Sequence, residues 1–247
     1  MIDPFALPRL YPIDAPPKPM LGWALFLDLD GTLLDIATAP DTVTVPNSLV
    51  HDLAAASAAL GGAVAIVSGR PLPEVDALLS PLRLAGAGEH GAVLRLPSGQ
   101  REEVGEYVPQ EWIEVLGAAV DAKAGALLER KSHGVAVHYR QGPRHEDFFR
   151  NLCETLVAGQ ESRFEVLPGR MVFEIRPRGV NKGRAVERLM EGEPFRGRRP
   201  VFVGDDITDE DGFRAAVRHG GDGLDVFVHF AGRPEEVRRW LRSFAAP

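Results

Sequence analysis

The sequence predicts an α/β fold, a doubly wound parallel sheet (Rossmann-like) with a small α+β module inserted into it. The first observation is that short apolar runs alternate with helical segments in residues 21–105 and again in 180–247; this pattern is typical of βαβ units. The second is a change of pattern in residues 106–179, where helix-then-strand units end in a hairpin signature. Repeated prolines in residues 1–20 predict an extended arm before the core.

The sequence of residues 21–105, the first part of the core, predicts a βαβαβ unit. Apolar runs of strand length, typical of parallel strands buried on both faces, predict strands at 23–27, 63–67 and 82–87. Leucines at helical spacing and a terminating Gly61 predict a helix at 49–60. A second helix is expected at 72–79.

The inserted module predicts two helix-then-strand units. Helices are expected at 111–120 and 145–157, and strands at 134–140, 164–167 and 171–176. Pro168-Gly169-Arg170 predicts the turn of a hairpin between the last two strands. After Gly179 the alternating pattern resumes, with helices expected at 182–190, 209–218 and 234–244 and strands at 200–203 and 224–230.

Composition excludes several classes of protein. A content of 45% hydrophobic and 26% charged residues is that of a folded globular chain. The formal net charge of −7 argues against nucleic acid or a membrane surface as a partner, because both are anionic. Cys153 is the only cysteine, so an internal disulfide is impossible, and the N-terminus lacks a signal-peptide pattern. We expect a cytoplasmic protein that acts on a small molecule, with a monomer favoured.

Polar clusters follow the predicted strands or begin predicted helices. In an open α/β sheet, ligands bind outside the carboxyl ends of the strands, so these clusters are the first candidates for a site. They are Asp28 and Asp30, Ser68 and Arg70, Lys182, and the acidic run that begins with Asp205 and Asp206. Each cluster alone has an ordinary alternative: a turn or helix cap for the Asp and Ser side chains, and a solvated surface position for the Lys.

The acidic pairs are hard to explain by capping alone. Asp28 and Asp30 lie just beyond a buried strand, where they repel each other unless a cation lies between them. Mg²⁺ prefers carboxylate oxygens, one carboxylate can attack phosphorus, and a second carboxylic acid can protonate the leaving oxygen. Asp205 and Asp206 precede the expected helix cap at Thr208 or Asp209. A metal therefore accounts for them better than a cap does.

The ordered set resembles the haloacid dehalogenase-like phosphatase superfamily. The resemblance rests on Asp28-Leu29-Asp30-Gly31-Thr32, the strand-end Ser68, Lys182 and Gly204-Asp205-Asp206. It implies a hydrolase core that requires Mg²⁺, with Asp28 as the transiently phosphorylated nucleophile and Asp30 as the acid/base. It also implies that Ser68 and Lys182 bind the transferring phosphoryl group. The implied metal ligands are Asp28, Asp30, Asp205 and Asp206, with Thr32 and Asp209 orienting them.

A closer resemblance is to the trehalose-6-phosphate phosphatase family. It rests on Val67-Ser68-Gly69-Arg70, Glu89-His90-Gly91-Ala92, Glu129-x-Lys131, His138-Tyr139-Arg140, Phe173-Glu174-Ile175-Arg176-Pro177, Asn181-Lys182-Gly183 and Gly204-Asp205-Asp206-x-Thr208-Asp209-Glu210. It implies hydrolysis of trehalose 6-phosphate to trehalose and phosphate. We expect the inserted module to act as a lid that excludes water and determines the substrate. The substrate-binding residues expected on this basis are Arg70, His90, Gly91, Glu129, Lys131, His133, Arg140, Arg170 and Glu174. Gly169-Arg170 departs from the Gly-Lys that is common in the family; the charge is kept, but Arg and Lys differ in geometry.

Three alternatives remain at this stage. The nearest is a phosphatase of the same superfamily that acts on another ester, such as sucrose phosphate or mannosyl-glycerate phosphate. A phosphomutase shares the Asp pair but releases no net phosphate. A catalytically dead sugar-phosphate sensor is disfavoured by the intact Asp28, Asp30, Lys182 and Asp205.

Overall fold

The computed structural model of the protein describes residues 15–36 and 43–244. Most of the arm predicted at 1–20 lies outside the described residues. In the described part, 15–20, there is no helix or strand. Trp240 Nε1 donates a 2.8 Å hydrogen bond to the carbonyl oxygen of Pro17. The end of the arm is therefore attached to the last helix of the core.

The larger of two sheets carries the predicted parallel core. Its parallel strands are β1 (Trp23–Leu27), β2 (Val64–Val67), β3 (Ala85–Gly88), β10 (Arg199–Gly204) and β11 (Asp222–Asp225), and two short antiparallel strands, β4 (Val93–Arg95) and β5 (Arg101–Glu103), extend it at one edge. The order across the sheet is β11-β10-β1-β2-β3-β4-β5. Every residue of the central β1 is buried, so both faces of the sheet are covered.

Helices from both halves of the chain supply this cover. They are α1 (Leu49–Ala59), α2 (Leu72–Leu78), α5 (Lys182–Met190), α6 (Glu210–Arg218) and α8 (Pro234–Arg242). Helix α1 packs against α8, and α5 packs against α6. Because α1 comes before the inserted module and α8 after it, the two halves of the chain form one hydrophobic core.

The inserted module has a sheet and a core of its own. Its elements are α3 (Gln110–Asp121), β6 (Leu127–Arg130), β7 (Val135–His138), α4 (Glu146–Val157), β8 (Phe164–Gly169) and β9 (Val172–Pro177). The sheet is antiparallel in the order β6-β7-β9-β8. A separate cluster of buried side chains, including Phe149, Phe164 and Ile175, lies between this sheet and its helices. We call this module the cap.

The chain enters and leaves the cap at one narrow place. Gly105 follows β5 and has a φ of +99°, which a side chain rarely adopts. A Cβ at Gly105 would lie 2.9 Å from Pro177 Cβ and 2.9 Å from Val180 Cγ2, both on the returning segment. The two crossing segments therefore touch each other.

Several predicted bounds were wrong in instructive ways. The strand expected at 224–230 ends at Asp225, and a short helix, α7 (Val226–His229), follows it. Asp225 causes the change, because its carboxylate accepts hydrogen bonds from the Phe227 and Val228 amides as a helix cap. The strand expected at 82–87 begins later, at Ala85, and the hairpin turn falls at Arg170-Met171. Among the described residues, no helix is long and apolar enough to cross a membrane.

Candidate active site

The carboxyl ends of β1 and β10 bring two predicted aspartates together. The strands pair in parallel with Leu27 opposite Val203, so Asp28 and Asp205 emerge at the same edge of the sheet. Thr32 Oγ1 donates a 3.1 Å hydrogen bond to Asp205 Oδ1. Gly31 has a φ of +83°, and a Cβ there would lie 2.1 Å from Asp205 Oδ2. Only glycine permits this approach between the two loops.

Lys182 connects the same edge to helix α5. Its Nζ lies 2.6 Å from Asp28 Oδ1 and 2.6 Å from Asp209 Oδ1, and all three side chains are buried. Asn181 caps the helix by accepting a hydrogen bond from the Arg184 amide. Asn181 thus fixes the first turn of α5 and thereby places the Lys182 ammonium between the carboxylates of Asp28 and Asp209.

The charges at this edge do not balance. One oxygen from each of Asp28, Asp205 and Asp209 lies within 4.8 Å of the others, and Lys182 is the cation that contacts two of them. Burial, with Asp209 and Asp205 adding to it and Lys182 opposing it, raises the pKa of Asp28 well above its usual range. Burial and the neighbouring Asp209 raise the pKa of Asp205 to about 7. A divalent cation with a preference for carboxylate oxygens would relieve this repulsion.

Asp206 and Asp30 lie outside that group of three carboxylates. Asp206 accepts a hydrogen bond from the Ile207 amide and forms a reciprocal capping box with Asp209 at the start of a 3₁₀ turn (Ile207–Asp209). The expectation that capping does not account for Asp206 was therefore wrong. The helix N-cap lies at Asp206, earlier than the expected Thr208 or Asp209, because a 3₁₀ turn precedes α6. The role of Asp206 as a metal ligand stays a prediction.

Asp30 is held by Arg70. Arg70 Nε lies 2.6 Å from Asp30 Oδ2 and Arg70 Nη2 lies 2.8 Å from Asp30 Oδ1, a two-pronged ion pair. Ser68, buried at the end of β2, accepts a hydrogen bond from the Arg70 amide. A turn of this kind is the ordinary alternative role for Ser68. Ser68 also lines the cavity described next.

A cavity of about 260 Å³ separates this edge from the cap sheet. Asp28, Asp30, Ser68, Arg70 and Lys182 lie on the core side. The cap side presents Glu129 from β6, His138 from β7, Glu174 from β9 and the adjoining Lys131. Because side chains alternate along a strand, the apolar partners of these residues, Leu128, Val137, Phe173 and Ile175, face the cap's own core. Both walls of the cavity thus carry acidic and basic side chains.

The polar groups of the cap wall are paired with one another. Lys131 Nζ lies 2.5 Å from Glu174 Oε2, and His138 Nε2 lies 2.7 Å from Glu129 Oε2. Burial would raise the pKa of Glu174, but Lys131 and His90 more than offset it and hold that pKa far below its usual range. Lys131 and Glu174 are therefore ionised at neutral pH, and both pairs present hydrogen-bonding atoms to the cavity.

The sequence prediction missed His138 as a member of this wall. Its position two residues after Ala136, on a strand whose Val135 and Val137 are buried in the cap core, is the signal that places it on the cavity face.

His90 and Gly91 belong to the turn after β3. His90 lines the cavity and its ring lies against Gly69, where a Cβ would approach His90 Cε1 to 2.6 Å. Burial lowers the pKa of His90, although Glu174 opposes the effect. Gly91, at φ +110°, packs beside the carbonyl oxygen of Asn181, where a Cβ would lie 2.7 Å from that atom. Gly91 therefore contacts the start of α5 and does not line the cavity.

Three residues predicted to bind substrate lie away from the cavity wall. His133 is buried with its ring stacked on Tyr107, at a centroid distance of 4.4 Å. Arg140 is exposed in the turn after β7, and Arg170 is exposed in the β8–β9 turn. Their roles in substrate binding stay predictions, and this arrangement of the cap does not bring the three to the cavity.

Comparison with known proteins identifies the family. Residues 26–235 match the sequence model of trehalose-phosphatases. The chain belongs to the trehalose-phosphatase family. A probable trehalose-phosphate phosphatase of Sinorhizobium fredii is 44% identical over 201 residues, which cover 81% of this chain and 76% of the relative. The trehalose-6-phosphate phosphatase of Escherichia coli is 39% identical over 217 residues, with 87% and 81% covered. The family resemblance inferred from the motifs is thereby confirmed.

Solved structures confirm the fold of this trehalose-phosphatase. The C-terminal domain of Candida albicans trehalose-6-phosphate phosphatase superposes with a TM-score of 0.74 at 21% identity, covering 90% of this chain and 91% of that one. At this identity the likeness concerns the fold alone. The predicted fold class, a parallel α/β core with an inserted antiparallel cap, is correct.

Proposed function

We propose that this chain is a Mg²⁺-dependent phosphatase that hydrolyses trehalose 6-phosphate to trehalose and phosphate through an aspartyl-phosphate at Asp28. The chain is a phosphatase by family, and the trehalose-6-phosphate phosphatase of E. coli matches it over 87% of its length. The observation that carries the proposal is the buried Asp28–Lys182–Asp209 contact, which faces a cavity whose other wall is the polar face of the cap. A cytoplasmic location and a monomeric state stay predictions.

Asp28 is the proposed nucleophile. Its carboxylate forms a bond to phosphorus while the bond from phosphorus to the sugar oxygen breaks. Lys182 keeps Asp28 available for attack, because its ammonium lowers the pKa of a carboxyl that burial raises. The same ammonium can donate hydrogen bonds to the phosphoryl oxygens and offset their negative charge. The Ser68 hydroxyl is proposed to donate to one of these oxygens.

Asp30 is the proposed proton carrier. It gives its proton to the departing sugar oxygen, then takes a proton from the water that attacks the aspartyl-phosphate, so that phosphate leaves and Asp28 is restored. In this structure Asp30 is paired with Arg70 at 2.6 Å. Asp30 must therefore exchange Arg70 for the sugar oxygen when it acts, and Arg70 is then free to contact the phosphate.

Asp28, Asp205 and Asp209 fit a divalent cation, since these three carboxylates are crowded together and Lys182 contacts only Asp28 and Asp209 among them. Asp28 and Asp205 would hold Mg²⁺, Thr32 would orient Asp205, and Asp209 would orient Lys182. Asp30 and Asp206 are retained as proposed ligands, though both are engaged elsewhere here. When bound, Mg²⁺ offsets the charge that develops on the transferring phosphoryl group.

The cap is proposed to select the sugar. We propose that residues 106–179 form this unit and that 21–105 with 180–247 form the catalytic core, a division supported by their separate buried clusters. Glu129, Lys131 and Glu174 offer carboxylate and ammonium groups to sugar hydroxyls. A site that contains such groups rejects substrates that leave them unpaired.

The test is phosphate release from trehalose 6-phosphate, sucrose phosphate, mannosyl-glycerate phosphate and glucose 6-phosphate, each with Mg²⁺ and with EDTA. We expect a preference for trehalose 6-phosphate and loss of activity in EDTA. A large preference for another ester would refute the substrate. Net phosphate release without a bisphosphate excludes a mutase, and turnover of any ester excludes a dead sensor. Unchanged turnover of Asp28→Asn would refute the covalent route.

A further inference from the structure

Glu89 links the large sheet to the cap. It is 4% exposed and is not among the residues that line the cavity. Its Oε1 accepts a 3.0 Å hydrogen bond from the Ser132 amide, and its Oε2 accepts one of 3.0 Å from the His133 amide. Both amides belong to the β6–β7 turn of the cap, residues 131–134. A buried carboxylate is thus satisfied by backbone groups of the other module.

The backbone around Glu89 is strained. Glu89 has a φ of +52° and His90 a φ of +56°, both in the left-handed region that favours glycine, and Gly91 follows at +110°. A non-glycine residue in this region costs energy and persists only when its surroundings hold it there. The cap amides hold the Glu89 side chain, and Gly69 leaves room for the His90 ring. The strained turn therefore orients both side chains.

The same turn is bonded to the loop that carries Ser68 and Arg70. The Glu89 amide donates a 3.0 Å hydrogen bond to the Arg70 carbonyl, and the His90 amide donates one of 3.0 Å to the Ser68 carbonyl. Glu89 and His90 thus connect the loop of Ser68 and Arg70, which we call the phosphate loop, directly to the cap.

The cap turn positions Lys131. Lys131 begins the turn, with its amide bonded to the Gly134 carbonyl at 3.0 Å. Its Nζ reaches Glu174 Oε2 at 2.5 Å and the carbonyl oxygen of Gly69 at 3.4 Å. The turn is also held from the other side, where the His133 ring stacks on Tyr107. Loosening the turn would let the Lys131–Glu174 pair move relative to Ser68 and Asp28.

We infer that Glu89 is a positioning residue that fixes the β6–β7 turn against the phosphate loop, so that the cap holds the sugar at the correct distance from Asp28. The inference rests on the proposed function for its substrate, and on the contacts above for its geometry. Glu89 touches neither reacting group, so its effect depends on the substrate being long enough to reach the cap.

Glu89→Gln tests this inference. Gln keeps the shape but turns an amide group toward one of the two backbone amides, so at least one charge-assisted hydrogen bond is lost. We expect kcat/KM for trehalose 6-phosphate to fall by about tenfold or more. Hydrolysis of p-nitrophenyl phosphate, which has no sugar to reach the cap, should stay within about twofold. The Ser132 and His133 amides should exchange hydrogen with solvent at least about tenfold faster.

Glu114→Gln is the matched control. Glu114 is an exposed residue of α3 in the same module, and its Oε1 accepts a 3.2 Å hydrogen bond from Gln110 Nε2 on the same helix, away from the β6–β7 turn. This variant should leave both amide exchange rates and both substrates unchanged. If Glu89→Gln does not fold, Glu89→Asp, which keeps the charge on a shorter side chain, is carried through the same measurements.

Equal losses on the two substrates would overturn the inference, because Glu89 would then act on the catalytic loop or on the fold as a whole. Unchanged amide exchange at Ser132 and His133 would overturn it as well. If the unaltered protein hydrolyses no sugar phosphate, the proposed function fails, and amide exchange alone decides whether Glu89 holds the cap turn.

Discussion

Replacing Asp205 with Asn is expected to stabilise the metal-free protein above neutral pH while it abolishes activity. Asp205 is largely removed from water and is crowded by Asp209, and these effects raise its pKa from 3.8 to about 7. Asn has nearly the same shape, keeps an oxygen that can accept the 3.1 Å hydrogen bond from Thr32, and carries no charge. The substitution thus removes the repulsion and little else.

The sign and the size of the change in the free energy of unfolding follow from proton binding at Asp205. Between pH 3.8 and about pH 7 the folded protein holds the Asp205 proton more tightly than the unfolded chain, so the free energy of unfolding falls as pH rises. A shift of about three pH units corresponds to a penalty of about 4 kcal/mol above pH 7. Asp205→Asn removes that penalty. Its advantage in stability should be near zero at pH 4 and close to the full value at pH 8.

Urea denaturation in EDTA, at intervals from pH 4 to pH 8, measures the effect. Asp206→Asn is the control, because Asp206 caps a 3₁₀ turn outside the group of three carboxylates and Asn caps about as well as Asp. It should show little change across the range. With Mg²⁺ added at pH 8, the unaltered protein should regain stability by binding the ion, whereas Asp205→Asn should regain far less.

Parallel stability curves for Asp205→Asn and the unaltered protein would refute the reasoning, because the carboxyl would then titrate alike in the folded and unfolded states. A gain that is constant with pH would point to better packing and not to charge.

Three further substitutions test the site. Lys182→Met should abolish turnover and lower stability at pH 7 by about 3–5 kcal/mol, because it leaves the carboxylates that Lys182 contacts buried without their cation; urea midpoints should converge with the unaltered protein toward acidic pH. Glu174→Gln should raise KM for the sugar phosphate by about tenfold or more and spare p-nitrophenyl phosphate, since Lys131 loses its ionised partner. Gly69→Ala should displace His90, cost about 1–3 kcal/mol and lower kcat/KM; Gly22→Ala, with open space around it, is the control.

The parallel core was predictable because its signals are local. Each central strand is a continuous apolar run, and the polar residue that follows it marks the edge where the ligand binds. Asp28 and Asp205 meet at this edge as soon as β1 and β10 are neighbours. The convergence of these residues needed only the strand ends and the parallel direction.

The strands that we missed carry weak local signals. β4 and β5 have three residues each, and β5 (Arg101–Glu103) is entirely charged. β6 (Leu127–Arg130) shows no alternation. Such strands are formed by pairing with neighbours that lie far away in the sequence, and single-residue patterns do not encode that pairing.

The contacts within the site depended on long-range geometry too. The sequence indicated that Asp209 orients other groups, but the 2.6 Å contact to Lys182 depends on how α5 packs beside the 3₁₀ turn. Asp206 was assigned to a metal because the helix N-cap was expected at Thr208 or Asp209, later in the acidic run. Glu89 had no visible role, because its partners are backbone amides, which carry no residue-specific signal in a sequence.

The touching segments at Gly105 and Val180 have an evolutionary consequence. Because the chain leaves the core and returns to it at one point, a whole insertion can be exchanged there by two short joins without disturbing the order of the sheet strands. New specificities can then arise by recombination at this junction, while the aspartates and the lysine keep their places in the core. The same junction is the natural place to graft a foreign module in the laboratory.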